Sequence, residues 1–217
     1  MSPRLAVLLA GTALAAVLGG TAGYVLLGGK GDDRFADCRE TAVAGGMGAV
    51  GGPFTLVNSE GETVTDKDVI TEPSLVYFGY TFCPDVCPLD NQRNAEAAYI
   101  LEEEDGIEVT PVFISVDPAR DTPEVVGQFA ANFHERMIGL TGSPEQIKAA
   151  SQAYKTYYRL HEDKDENPYY LVDHSTFTYL VLPGYGVVEF FRHPDFAEGT
   201  SLAEDVAART ACFVDRM

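Results

Sequence analysis

Cys83 and Cys87, in Phe82-Cys83-Pro84-Asp85-Val86-Cys87-Pro88, are the residues of this chain best suited to chemistry. They follow an apolar run, Leu75 to Tyr80, that reads as a strand, and they open a helix-forming stretch, Pro88 to Glu104. The spacing predicts both sulfurs on one helix face, one turn apart. A helix N-terminus offers partial positive charge and unpaired N–H groups, which lower a thiol pKa and favour thiolate. Thiolate is both the nucleophile of disulfide exchange and a soft metal ligand. A purely structural disulfide needs neither a strand-to-helix elbow nor a proline after each cysteine. The gap also differs from the two-residue spacing of the common disulfide oxidoreductase motif.

A second polar site lies far along the chain, where His174 precedes the β-prone run Thr176 to Leu182. On a thioredoxin-like framework the loop before that strand faces the cysteine elbow, a place that oxidoreductases usually give to a proline. No proline occurs between Leu171 and Leu182, and His174 takes that loop. Two thiolates and one imidazole form a soft three-donor site, suited to Cu(I) and able to take Cu(II) with a fourth ligand. Structural zinc normally wants four protein ligands, so copper is the better match. His134, His161 and His193 read as solvated or loop residues.

The stretches Leu75 to Pro88, Val112 to Pro123 (Val-Phe-Ile-Ser-Val-Asp-Pro-Ala-Arg-Asp-Thr-Pro), Gly139 to Gly142 and Val172 to Ser175 run in an order that resembles the Sco/SenC family. The resemblance spans roughly Gly51 to Phe191. It implies a membrane-anchored copper-binding protein of cytochrome c oxidase assembly, with Cys83, Cys87 and His174 as ligands to Cu(I) and Cu(II). The acceptor it implies is the binuclear copper site of cytochrome c oxidase subunit II, and a copper donor or thiol reductant would serve the protein in turn. Two departures stand out: Phe82 occupies a position where His is common, and no Lys precedes Pro73. Neither touches a carried-over ligand. Asp173, beside the histidine, is a candidate to orient the loop or tune the imidazole, and Asp117 is a candidate neighbour of the thiols. Asp121 reads as turn and cap chemistry. The rival function is a thiol–disulfide reductase using Cys83 and Cys87, which would keep the acceptor's cysteines reduced. A redox or copper sensor is a third reading, with no sequence feature of its own.

The 217 residues suit one domain plus an extension. Leu5 to Gly29 carries no charge, and as a helix it would be roughly 35 Å long, enough to span a bilayer. The reading is an uncleaved anchor over 1–30, with a cleaved signal peptide as the alternative. Arg4 ahead of the span favours a cytoplasmic N-terminus and an exported domain. The expected location is a bacterial inner membrane with the domain in the periplasm, or the mitochondrial inner membrane facing the intermembrane space. Disulfides persist in such compartments. Cys38 and Cys212 are therefore a candidate bridge, worth about 4–5 kcal/mol by restricting the unfolded chain. Free thiols and bridges to other chains are the alternatives. A formal net charge of −18 argues against nucleic acid.

Glycine and alanine over 42–52 read as a flexible linker, giving 31–51 between the anchor and a domain over 52–217. Phe54–Val57 and Glu62–Thr65 flank a hairpin turn. Ala95, Ala98, Tyr99 and Leu101 are expected on the inner face of the first long helix. Thr122-Pro123, Ser143-Pro144-Glu145-Gln146 and Ser201-Leu202-Ala203-Glu204 mark three later helix starts. The order predicts an α/β, thioredoxin-like domain with an added N-terminal β-hairpin, preceded by one transmembrane helix.

Overall fold

A computed structural model describes residues 33–161, 169–193 and 202–217 of the chain. The expected anchor over 5–29 lies outside the described residues. Among the described residues no helix is long and apolar enough to cross a membrane. The domain itself is a unit running from Cys38 to Met217.

Its centre is a five-stranded sheet. β3 (Ser74–Gly79) and β4 (Thr110–Ser115) are parallel, with every residue of both buried. Covered on both faces, such strands read as continuous apolar runs rather than alternating ones. β5 (Ile138–Leu140) extends the parallel side, while β8 (Phe177–Leu182) and β9 (Gly186–Arg192) add an antiparallel hairpin, giving the order β5-β4-β3-β8-β9. The hairpin β1 (Thr55–Val57) and β2 (Thr63–Thr65) precedes the sheet and meets its flank through paired Val57 and Thr141 backbones, 2.8 and 2.9 Å. A ribbon of β6 (Tyr158–Leu160) and β7 (Val172–His174) leads into β8. This is the thioredoxin-like arrangement, with the hairpin added in front.

Helix starts follow local chemistry. α1 (Asp66–Val69) carries a Thr65–Asp68 capping box. α2 (Val86–Ile100) begins two residues before the expected Pro88. It continues as a π-helical turn, Leu101–Asp105, closed by left-handed Gly106. α3 (Pro123–Ala131) starts from Thr122, with proline at its first position. α4 (Pro144–Tyr154) has the full Ser143–Gln146 box. In α5 (Ala203–Val214) the N-cap is Leu202 with no side-chain cap, and Ser201 of the expected start lies outside the described residues.

Two expectations are corrected here. Tyr99 is not on the inner face of α2: it is exposed and stacks on His134 at 4.1 Å. The buried stripe runs through Cys87, Asp90, Asn91, Asn94, Ala98 and Leu101, one position off Tyr99 at helical spacing. Its polar members are held: Asn94 and Arg93 donate to Thr178 Oγ1 at 3.0 and 2.8 Å, and Asp90 meets His193 at 3.0 Å. The glycine-rich stretch over 42–52 is not a free linker either. Met47 is buried in a 3₁₀ turn, and Gly51 donates to the Ala153 carbonyl at 2.9 Å. Just before it, Glu40 and Thr41 give their backbone N–H groups to the buried Glu189 carboxylate at 2.9 and 3.4 Å. Arg209 also pairs with Glu189, at 2.7 Å. Cys38 and Cys212 are bridged, with Cα atoms 5.7 Å apart across a separation of 174 residues.

Candidate metal centre

After Gly79 the chain turns sharply, Cys83 N–H donating to the Tyr80 carbonyl at 3.2 Å. Pro84 and Asp85 (φ −139, ψ −84) keep this turn out of the helix. Cys87 lies in the first helical turn and donates its N–H back to Cys83 Sγ at 3.3 Å. The expected pair on one helix face is thus corrected: Cys83 sits off the helix, and its sulfur accepts from the helix N-terminus. Pro88 is tolerated because first-turn N–H groups have no intrahelical partner. Gly79 makes room for the second thiol. A Cβ there would lie 2.9 Å from Cys87 Sγ and 2.8 Å from the Tyr77 ring.

His174 ends β7, opposite Tyr158. Its Nδ1 lies 3.0 Å from the Ser175 carbonyl, which can only accept, so Nδ1 carries the proton. Nε2 then turns its lone pair toward Cys87 Sγ, 3.3 Å away. Tyr77 and Tyr80 meet the imidazole edge-on, at 6.1 and 5.7 Å between centroids. The donor atoms of Cys83, Cys87 and His174 all lie within 4.8 Å of one another. Among the described residues they are the one group of three or more His, Cys, Asp or Glu donors placed to share an ion.

The two thiols differ in kind. The Cys87 side chain, helped by the backbone N–H groups of Asp85 and Cys87, brings the Cys83 pKa down to about 4 against the opposing effect of burial. Cys87 moves the other way, raised by burial first and then by its neighbour's hydrogen bond and charge. Lowering of both thiols by the helix end is therefore corrected. At Cys87 desolvation outweighs the dipole, because that sulfur is fully buried.

The residues that brace this elbow lie in the Asp117–Asp121 run, where the sequence marks Asp117 as a neighbour of the thiols and Asp121 as turn and cap chemistry. Buried Asp121 accepts from the Thr81 backbone at 3.0 Å and from the hydroxyls of Thr81 and Ser115, tying the cysteine turn to the end of β4. Burial pushes its pKa up. Asp117 does not reach the thiols. It pairs with Arg120 and accepts from Tyr170 Oη at 2.6 Å. Arg120 in turn lies over the rings of Tyr170, Phe82 and Tyr80, at 3.6, 4.8 and 5.6 Å. Asp117 therefore acts on the elbow through Arg120. The position of this run at the carboxyl end of β4, where α/β sites cluster, is what made Asp117 a candidate from sequence.

Asp173 does not touch the imidazole. Neighbouring strand residues face opposite ways, and its carboxylate takes Arg159 at 2.8 Å and His161 at 3.1 Å across the ribbon. Those two partners, His161 first, lower its pKa. His134, expected in solvent, is buried and accepts from Arg136 N–H at 3.1 Å.

A family model described as SCO1/SenC matches residues 43–211. The chain is 51% identical over 185 residues to Protein SenC of Rhodobacter capsulatus, covering 85% of this chain and 79% of that one. It is 44% identical over 146 residues to the mitochondrial Protein SCO1 homolog 1 of Arabidopsis thaliana, covering 67% of this chain but only 43% of that longer protein. Among solved structures, Arabidopsis thaliana ScoI with copper bound superposes with a TM-score of 0.68 at 38% identity, over 77% of this chain and 99% of that one. Yeast Sco1 superposes with a TM-score of 0.70 at 31% identity, over 78% and 99%.

Proposed function

The chain belongs to the SCO1/SenC family, and on that premise we propose that it binds copper through Cys83, Cys87 and His174 and delivers it during cytochrome c oxidase assembly. The observation that carries this reading is the convergence of three donors from a turn, a helix start and a strand end, all within 4.8 Å. With Nδ1 held by the Ser175 carbonyl, Nε2 is the free donor, as in histidine ligands whose second nitrogen is fixed by a neighbour. Cys83 is poised as thiolate. Cys87 gives up its proton when a cation offsets the cost of a buried charge, or when Cys83 is no longer a thiolate beside it. Copper would leave by ligand exchange as acceptor groups replace the protein's sulfurs. The acceptor in this reading is the binuclear copper site of subunit II, and the apolar run 5–29 would anchor the chain in the same membrane, with the domain on the periplasmic side.

The unequal thiols also favour a second reading, a thiol–disulfide reductase. Cys83 thiolate would attack a partner disulfide and expel one partner thiolate. Cys87, once deprotonated, would then attack Cys83 Sγ, close the 83–87 disulfide and release the second partner thiolate. Residues 83 and 87 would be oxidised and the partner reduced by two electrons.

Copper titration of the reduced chain, with metal analysis and visible absorption, separates the two. Delivery predicts one tightly held copper with thiolate-to-copper charge-transfer bands, lost in Cys83→Ser and His174→Ala. Failure to retain Cu(I) or Cu(II), with ready 83–87 oxidation, would sink it and leave the reductase standing.

A further inference from the structure

The Cys38–Cys212 bridge has an unusual neighbour. Arg216 Nη1 lies 2.8 Å from Cys38 Sγ and 2.9 Å from Cys212 Sγ, so one guanidinium touches both sulfurs. The same nitrogen is 3.2 Å from the Cys212 carbonyl, which fixes the arginine over the end of α5. A neutral disulfide gains little from a cation, whereas a thiolate gains much. Nearby Arg lowers thiol pKa and makes a sulfur a better leaving group.

The bridge is also not the sole tie between the segment after Cys38 and the domain. Arg39 Nε donates to the Val188 carbonyl at 3.3 Å, Glu40 and Thr41 bind Glu189, and Gly51 binds Ala153. Opening the bridge would therefore leave the two sulfurs adjacent and able to close again. Cys38 is buried and Cys212 only partly so, which makes Cys212 the reachable sulfur.

We propose that Cys38 and Cys212 form a second thiol–disulfide centre, reversibly reduced by a dithiol, with Arg216 stabilising the departing thiolates. A donor thiolate attacks Cys212 Sγ. The new S–S bond forms as the 38–212 bond breaks, and the electron pair leaves on Cys38 Sγ beside Arg216. The donor's second thiol, deprotonated, attacks its own sulfur in the mixed disulfide and expels Cys212 as thiolate, again beside Arg216. The donor ends as a disulfide, oxidised by two electrons, and its two protons pass to solvent or to the released cysteines.

The test uses dithiothreitol as donor on the full chain. Differential alkylation and peptide mass spectrometry read Cys38 and Cys212 separately from Cys83 and Cys87. The expected result is reduction under native conditions, with Arg216→Gln slowing it about tenfold and shifting the midpoint toward harder reduction. Arg216→Lys, which keeps the charge, should recover most of the rate. An Arg216→Gln rate equal to that of the unaltered chain overturns the proposal, and so does a bridge that yields only when the protein is unfolded by denaturant. Neither readout depends on copper, so the proposal stands or falls apart from the 83–87–174 site.

Discussion

Cys83 and Cys87 are four residues apart beneath an imidazole, whereas Cys38 and Cys212 are 174 residues apart beside a guanidinium. The first pair is free and the second is bridged. One side-chain type thus serves two ends, and its neighbours decide which. At the elbow, hydrogen bonds favour a thiolate on Cys83 while burial keeps the proton on Cys87. That inequality suits a pair awaiting a cation or a partner sulfur. At the far end the bridge closes the domain on itself, and its contribution falls on the unfolded chain rather than on a ligand site.

Swapping the lesions tests this division most severely. His174→Ala should weaken copper binding by a hundredfold or more, beyond the roughly 10- to 100-fold expected for losing a supporting residue, and barely change thermal unfolding. Replacing Cys38 and Cys212 together with serine should do the reverse, costing about 2–5 kcal/mol in denaturant unfolding with copper affinity retained. Loss of copper binding in the double serine variant would break the comparison.

Gly79→Ala presses on the elbow alone. The added carbon must displace Cys87 Sγ or the Tyr77 ring, so overpacking of about 1–3 kcal/mol is expected in denaturant unfolding. Copper titration should weaken in parallel, while the 38–212 bridge stays intact in mass spectra.

Acidity sharpens the contrast between the two thiols of the elbow. Iodoacetamide should modify Cys83 in the reduced protein at a rate that stays level from neutral pH to about pH 5 and falls near pH 4, with Cys87 protected throughout. The sign for stability follows from a folded pKa below the unfolded value of 9.0. The Cys83 thiolate contributes fully above pH 9, progressively less as pH falls from 9 to 4, and nothing below. Melting temperature against pH, compared with Cys83→Ser, reads this directly.

The smallest effect belongs to Asp173→Asn. Its exposed pair with Arg159 and its contact with His161 are screened by solvent and add little to stability, and copper affinity should stay within about twofold. A larger loss would bring Asp173 back into the imidazole's surroundings.

Much of this was legible in the chain because the relevant signals are local. The apolar run Leu75 to Tyr80 in β3, proline after Thr122 and the Ser143–Gln146 box depend on near neighbours, and each marked its element. β5, β6 and β7 are three residues long, too short for any period to register. On the inner face of α2, Ala95, Ala98 and Leu101 are buried as read, but Asp90 and Asn94 escaped because they look solvated until His193, just past β9, and Thr178 of β8 reach them. Asp121 is the same case at the site. Its partners Thr81 and Ser115 come from two different segments, and sequence alone assigned it to a turn. The packing of residues 39–51 was hidden likewise, since glycine and alanine signal freedom while Glu189 and Ala153 remove it.

The two borders of the central sheet carry a consequence for how the molecule behaves at high concentration. An open strand border invites another chain to add to it, the usual beginning of aggregation. Here β5 is only three residues long, and the Val57–Thr141 backbone pair lays the β1–β2 hairpin against its end. On the opposite border, Arg39 occupies the Val188 carbonyl, and β9 turns the charged Glu189 inward. Both covers come from residues 39–65, ahead of β3. Clipping the chain before β3 would bare both borders at once while leaving Cys83, Cys87 and His174 in place, so such a fragment should keep its ligand set yet precipitate.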